Sequence, residues 1–570
     1  MYLLTSLKVR TGIQLGLLAF IVFLLVFFLD NRYRVLPQSI HSHLPLHHEG
    51  LVITDIIVQT CSTLNPLSSC KLDPDKWHRI EKDLYLNTGW VSKAYVHIKR
   101  KREEELTDED KVILDVRIGR LDPAMGEKGQ GAEKWESRPA GVWLKRSAKR
   151  HASDSKTVIT AVDVLFGADA VEPRPGWEIK DNALQLDTSG EVKEARLTIR
   201  RGPPHKIEKP VPRIRKDGKF KIMQVSDLHL STGLGVCRDP EPAGHNGDRC
   251  DADTRTLEFV GRVLDQEHPD LVVLSGDQVN GDTAPDAQSV SHEFLSPTSI
   301  QFHMFLTPAQ AIFKFAELLI KRKIPYATIF GNHDDEGSLS KAAMMSLTES
   351  LPFSLSEAGL NTIEGVGNYY VEVLAHGNNK HSALTLYFLD THGYSPDERQ
   401  FRGYDWLKPN QIKWFKDTAQ NLKDAHKHYT HIHLDMAFIH IPLPEYAYKS
   451  NEIVGTWKEG VTAPGFNSHF KDALVEEGIL AVSCGHDHVN DYCALSKNDK
   501  TSHPELWMCY AGGSGFGGYG GYDGYHRRIR VFEIDANEAR ISTWKRLEYG
   551  ETEKRLDEQV IVDEGKVVSP

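Results

Sequence analysis

At 570 residues the chain is too long for a single ordinary domain, and its 40% apolar and 26% charged residues describe a globular protein with a core to bury. A formal net charge of -11 speaks against a nucleic-acid binder working through a basic face, so no nucleic-acid partner is expected.

Residues 13–29 are apolar, interrupted only by Gln14 and Gly16, and their length sits at the lower limit of roughly 17 residues needed to span a bilayer. No small-x-small cleavage site follows in 30–37, so the segment reads as an uncleaved transmembrane anchor rather than a signal peptide. Lys8 and Arg10 before it nearly balance Arg32 and Arg34 after it under the positive-inside rule. The expectation is a single-pass membrane protein with a short cytoplasmic tail at 1–12 and the bulk of the chain luminal or outside the cell. Residues 30–50 form a polar stalk. Its histidines His41, His43, His47 and His48 read as a solvated linker before they read as a metal site.

Residues 51–212 look like a β-rich accessory domain, with β-branched runs of strand length at 51–58, 94–98, 112–118 and 195–200. The basic run 99–102, followed by Glu103–Glu105, reads as a solvated hairpin loop, and 145–156 as a polar loop. Pro203, Pro204, Pro210 and Pro212 mark the boundary with a second domain at 213–570. Of seven cysteines, Cys61/Cys70 and Cys237/Cys250 would each close a short loop, which suits an oxidising compartment, and the odd total leaves at least one thiol free.

Beyond 214, strands alternate with helices. Leu257, Val260 and Leu264 recur at helical spacing before Pro269. Thr307-Pro308 opens a second helix with Ile312, Phe315, Leu319 and Ile320 as its buried stripe. A third follows Pro409, with Ile412, Phe415 and Leu422 on one face, and a fourth spans about 469–477. Segments 369–374 and 383–390 alternate as strands without a metal motif. The Gly/Tyr-rich stretch 512–524 reads as a tight loop at a substrate rim in preference to low-complexity disorder. Segments 528–534 and 539–544 make a terminal hairpin, and the charged tail beyond Tyr549 is expected to be loose.

Five apolar runs each deliver Asp, Asn or His at the carboxyl end, the edge where open α/β sheets bind ligands. Residues 221–225 lead to Asp227 and His229, whose alternation would point both side chains to one face of an extended strand end. Residues 271–273 lead to Gly276-Asp277, and 326–330 to Gly331-Asn332-His333-Asp334. Residues 436–439 lead to His440, and 479–482 to Gly485-His486-Asp487-His488. Each has a bland reading: a lone His440 in an apolar strand is commonly a packed core histidine, and Asp277 after glycine is commonly turn chemistry. All the bland readings must hold together for the catalytic one to fail.

This series resembles that of the calcineurin-like metallophosphoesterase superfamily over roughly 220–534. More closely, the chain resembles fungal membrane-anchored phosphatases of that type, through the apolar amino terminus, the β-rich leader, Val236-Cys237-Arg238-Asp239, 440–446 and the Gly-rich stretch. The resemblance implies an α/β, four-layer α/β/β/α sandwich carrying two divalent or trivalent metal ions, with Mn, Fe or Zn suited to mixed N/O ligands. It assigns Asp227, His229, Asp277 and His488 to the first ion and Asp277, Asn332, His440 and His486 to the second, Asp277 bridging. It implies hydrolysis of a phosphomonoester, with a phosphorylated protein (Ser/Thr) as substrate, through a hydroxide bridging the metals. In that scheme His333 protonates the leaving oxygen or stabilises charge, and Asp334 orients it. A phosphodiesterase acting on lipid or nucleotide, and a docking scaffold on the same fold, are the alternatives. Purple acid phosphatases, a branch of the superfamily, add a tyrosine ligand three residues after the Gly-Asp aspartate, and here that position is Asn280.

Overall fold

In the computed structural model the described residues are Gln14, Leu17, Val22 and most of 51–570. Outside the description lie the rest of 1–50 together with 121–133, 148–156, 189–193, 244–249, 281–306 and 427–432. So do the short gaps 63, 65–69, 71, 89–90, 103–104, 107–108, 335, 337–339, 379 and 499. The expected anchor and stalk fall almost wholly outside the description. Among the described residues, no helix is long and apolar enough to cross a membrane.

The chain divides into two compact units, one holding 1–164, 176–190 and 195–205, the other 165–175, 191–194 and 206–570. Among the described residues, 51–201 supply nine strands in three small sheets. Leu51–Ser62 (β1), His78–Arg79 (β2) and Ser92–Arg102 (β3) order as β1-β3-β2. Ile113–Ile118 (β4), Lys134–Arg138 (β5) and Val142–Arg146 (β6) order as β4-β6-β5. Ile159–Phe166 (β7), Trp177–Ile179 (β8) and Ala195–Arg201 (β9) order as β7-β9-β8. The basic run 99–102 is not a loop but the end of β3, paired with β1 down to Leu51↔Arg102. Long cationic side chains tolerate this because their stems pack while their heads find partners. Lys99 Nζ lies 4.6 Å over the Trp77 ring, and Lys101 pairs with Asp110 at 2.6 Å. Lys145 and Arg146, expected in a loop, likewise belong to β6.

The second unit contains Lys219–Val225 (β10), Leu271–Ser275 (β11), Tyr326–Ile329 (β12), Tyr369–Leu374 (β13), Ser382–Phe388 (β14), Met436–Phe438 (β15) and Glu452–Val454 (β16). It continues with Ala481–Cys484 (β17), Cys493–Lys497 (β18), Pro504–Tyr510 (β19), Arg528–Asp535 (β20), Arg540–Leu547 (β21), Leu556–Asp563 (β22) and Lys566–Val567 (β23). They form two seven-stranded mixed sheets, β12-β11-β10-β20-β21-β22-β23 and β13-β14-β15-β17-β19-β18-β16. The tail beyond Tyr549 is therefore not loose, since β22 and β23 extend the first sheet. Glu551, Glu553, Lys554, Arg555 and Glu558 are exposed, Asp557 pairs with the buried Lys545, and Ile561 and Val562 are buried.

The sheets pack face to face. Ile222, Val273, Ile329 and Phe532 of the first share one apolar core with Leu386, Phe388, Phe438 and Trp507 of the second. The Phe438 and Phe532 rings meet edge to face at 6.3 Å. Helices Ala252–Glu267 (α1) and Thr307–Arg322 (α2) lie on the first sheet, where Trp544 Nε1 donates to Glu267 Oε1 at 2.9 Å and Phe315 meets Tyr326. Lys341–Glu349 (α3), not foreseen from periodicity, is capped by the Ser340 hydroxyl, which accepts from the Ala343 N–H. Pro409–His426 (α4) and Phe470–Glu476 (α5) cover the second sheet through Phe415, Phe470 and Leu474. The layers run helix, sheet, sheet, helix.

Three disulfides join Cys61–Cys70, Cys237–Cys250 and Cys493–Cys509, leaving Cys484 free and buried. The third joins directly opposed residues of β18 and β19, a pairing that is visible only once the register is known.

Candidate metal centre

Parallel strands β10, β11 and β12 of one sheet, and β14, β15 and β17 of the other, bring their carboxyl ends to one place. The loops that follow β10 and β11 are zipped side by side. Asp227 N–H donates to Gly276 O and His229 N–H to Asp277 O, both at 3.0 Å, and Leu230 N–H to Gln278 O at 2.9 Å. Asp227 and His229 do not prolong an extended strand as the alternation suggested. Both lie beyond Val225, and both have positive φ, 56° and 46°, as do Asp277 at 52° and His486 at 78°. Backbone held in that region by non-glycine residues costs on the order of 1–3 kcal/mol each and gathers at functional sites.

Two donor groups result: Asp227 with His229 and His488, and Asp277 with His440 and His486, all buried. In the first, His488 Nε2 is 3.2 Å from His229 Nε2 and 3.5 Å from Asp227 Oδ1. In the second, His440 Nε2 is 3.1 Å from Asp277 Oδ2 and 3.2 Å from Asn332 Oδ1. The groups are joined at Asp277, whose Oδ2 also lies 3.9 Å from His229 Nε2. Gly331 is obligatory beside them, since a Cβ there would sit 2.1 Å from Asp277 Oδ1 and 2.5 Å from His440 Nε2.

The tautomers are set by outer contacts. His440 Nδ1 donates to Ser275 O at 2.9 Å and His488 Nδ1 to Tyr519 O at 2.8 Å, which turns each Nε2 inward, the arrangement of a metal-bound imidazole. Burial and a neighbouring imidazole pull His229 and His486 down to about 3, leaving neutral rings with free lone pairs. Burial alone would lower His440 too, but the Asp277 carboxylate outweighs it and lifts the ring to about 9. To act as a ligand, His440 must give up its Nε2 proton. Burial would raise Asp277, but His440 and then His229 hold it well below the usual carboxylate range. His486 Nε2 and Asn332 Nδ2 are buried without a hydrogen-bond partner. An orphaned buried imidazole nitrogen is rare, and the His486 lone pair, the Asn332 oxygen beside His440 and the rest of the N/O donor set fit two cations.

His333 sits at the mouth, its side chain 34% exposed, and its backbone N–H donates to Asp277 Oδ1 at 2.8 Å. Asp334 does not orient it. Its carboxylate accepts the backbone N–H groups of Gly331, Asp277 and Val279 at 2.7, 2.9 and 3.0 Å, tying the second and third loops together. Burial and the adjacent Asp277 charge push the Asp334 carboxyl up. The partner of the His333 ring is Glu336, with Nδ1 2.7 Å from Oε2. Sequence reasoning missed Glu336, although a carboxylate three residues after a histidine in one short loop is a usable signal.

The end of β14 was missed as well. Asp390 accepts from Lys341, Val366 N–H and His392 N–H, fixing the loop that carries Tyr394 and Tyr404. Those rings stack at 5.1 Å, and Tyr404 meets His486 edge-on at 4.4 Å. Asn280 is buried, and its N–H donates to Leu230 O at 2.9 Å.

Residues 220–490 match the family model described as calcineurin-like phosphoesterase. The chain is 38% identical over 425 residues to Phosphatase DCR2 of Saccharomyces cerevisiae, covering 72% of this chain and 67% of that protein. It is 35% identical over 365 residues to a protein of Arabidopsis thaliana named probable inactive purple acid phosphatase 14, covering 61% of this chain and 83% of that one. The chain belongs to the calcineurin-like phosphoesterase family. It is a hydrolase of that family, with an α/β fold built on mixed sheets. A solved dimetal phosphatase from Danio rerio is also similar, with a TM-score of 0.37 and 11% identity over 60% of this chain and 99% of that one.

Proposed function

We propose that this chain is a phosphomonoesterase acting on phosphorylated protein, on Ser or Thr, at a two-metal centre. The observation that carries it is Asp277, one carboxylate facing His440 of one donor group and His229 of the other. Asp227, His229 and His488 would hold one ion and Asn332, His440 and His486 the other, with Asp277 common to both. Two such ions, Mn, Fe or Zn by donor type, would when bound polarise a phosphate and supply a nucleophile at neutral pH. The chain's own residues do the rest. Glu336 holds Nδ1 of His333, leaving Nε2 for the ester, where it delivers a proton to the departing oxygen. Asp334 keeps the second and third loops in register.

Phosphomonoester hydrolysis is supported by the relative named a phosphatase. Against a scaffold that uses the fold for docking stands the donor set, complete and inward-facing. The test is turnover of matched phosphoserine peptides and phosphodiesters by manganese-loaded full chain. Faster hydrolysis of the diesters would replace this reading with a phosphodiesterase.

Residues 13–29 are proposed to anchor the chain with its second unit on the luminal or extracytoplasmic side. Three disulfides support an oxidising compartment. Alkylation of the denatured but unreduced protein should label Cys484 alone. Labelling of Cys237 and Cys250 would reverse that topology. With Asn280 in place of a ligand tyrosine, and burial pushing the Tyr404 hydroxyl up, an iron-loaded sample should lack the intense visible band of a ferric tyrosinate. Such a band, lost on changing Tyr404 to Phe, would show a tyrosine ligand from the β14 loop instead.

A further inference from the structure

Tyr519, on the Gly/Tyr-rich loop, meets the ligand His488 in three separate ways. Its ring lies parallel to the imidazole, with centroids 4.0 Å apart and 10° between planes. Its carbonyl accepts the His488 Nδ1–H at 2.8 Å, and its hydroxyl accepts the His488 backbone N–H at 3.1 Å. The hydroxyl in turn donates to Glu459 Oε1 at 2.9 Å, and that oxygen also accepts the Val489 N–H at 2.9 Å. Glu459 is itself pinned, its N–H donating to Asn490 Oδ1 and its carbonyl accepting from Asn490 Nδ2. Gly518 allows the approach, since a Cβ there would stand 2.4 Å from His488 Cε1 and 2.6 Å from His229 Cδ2. The loop thus presses on both imidazoles of the first donor group.

The second group is held from elsewhere. His440 Nδ1 donates to Ser275 O at the end of β11, within the sheet. Tyr519 is on the surface, 37% exposed. The first group therefore depends on the Gly/Tyr-rich loop, and the second on β11 at His440 and on the loop after β14 at His486.

We propose that Tyr519, anchored by Glu459, is a positioning residue that sets the affinity of the first metal group separately from the second. This rests on the two-metal reading above. The ring fixes the plane of His488, the carbonyl fixes its tautomer, and both leave Nε2 aimed at Asp227 and His229. Outer contacts of this kind typically change metal affinity about 10–100-fold.

The test is the manganese content of purified full chain, equilibrated against a graded chelator buffer and measured by elemental analysis. Spin resonance separates coupled from isolated ions, and a thermal melt monitors folding. Wild type should hold two ions. Tyr519→Ala should lose one at about 10–100-fold higher free manganese than wild type does. It should then show the signal of an isolated ion. Tyr519→Phe, which keeps the ring and carbonyl but loses both hydroxyl bonds, should fall between, as should Glu459→Gln. These two carry the test if the alanine variant fails to fold. Added to His229→Ala, Tyr519→Ala should change nothing further, whereas added to His486→Ala it should weaken the ion that remains. Equal weakening of both ions, or none, would overturn the positioning role of Tyr519 and leave the two-metal reading intact. Wild type that never binds more than one ion would overturn both.

Discussion

Changing Asp277 to Asn should lower turnover by roughly 10³-fold or more while the chain still folds. The side chain is 1% exposed, and its Oδ2 stands 3.1 Å from His440 Nε2 and 3.9 Å from His229 Nε2. Two cations about 3.5–4 Å apart repel one another, and an anionic ligand common to both offsets that repulsion where a neutral amide cannot. Losing about 4 kcal/mol of transition-state stabilisation corresponds to about 10³ in rate. Folding should survive because the loops are held by their backbones, through Asp227 N–H to Gly276 O and His229 N–H to Asp277 O. An asparagine oxygen can still accept the His333 N–H now bound to Oδ1. The measurements are kcat/KM on an aryl phosphate, bound manganese and a thermal melt. A variant holding two ions with near-wild-type turnover would remove Asp277 from the bridging role.

The donor residues were legible because each follows an apolar run, and a run ending in a polar side chain is a local pattern. What joins them is not local. The zipper between the loops after β10 and β11, and the positive φ at Asp227, His229, Asp277 and His486, are imposed by neighbouring chain, so alternation misjudged the backbone there. The same limit explains β22 and β23. A charged tail reads as loose because its buried apolar residues, Ile561 and Val562, join a core and a sheet built from strands distant in sequence. It also explains Cys493–Cys509, whose sequence separation of 16 carries no sign that the two strands lie in register. Asp334 was given to His333 by adjacency. Adjacent residues on a turn diverge, and Asp334 turned instead to three backbone N–H groups that burial had left without partners.

Changing His333 to Ala should leave both donor groups intact and lower turnover by roughly 10²–10⁴-fold, the usual range for a lost general acid. Its ring lies beside that of His229, with centroids 5.3 Å apart, and its Nδ1 is taken by Glu336 at 2.7 Å. Burial pulls this imidazole down, but the Glu336 hydrogen bond and the Asp277 charge lift it to about 9. Cations at the donor groups would push it back towards neutrality. The loss should therefore be read through the leaving group rather than through pH. A phosphoserine peptide departs as a poor alkoxide and needs the proton, whereas an activated aryl phosphate does not. The expected result is a large fall on the first substrate and a small one on the second. Glu336→Gln keeps a hydrogen-bond acceptor but removes the charge, and should reproduce the same selectivity with a fall of only about tenfold, if one lost charge-assisted bond is worth about 1.5 kcal/mol. Equal losses on both substrates would make His333 an electrostatic or orienting residue. Loss of one manganese from His333→Ala would place it among the ligands and undo the division into donors and acid.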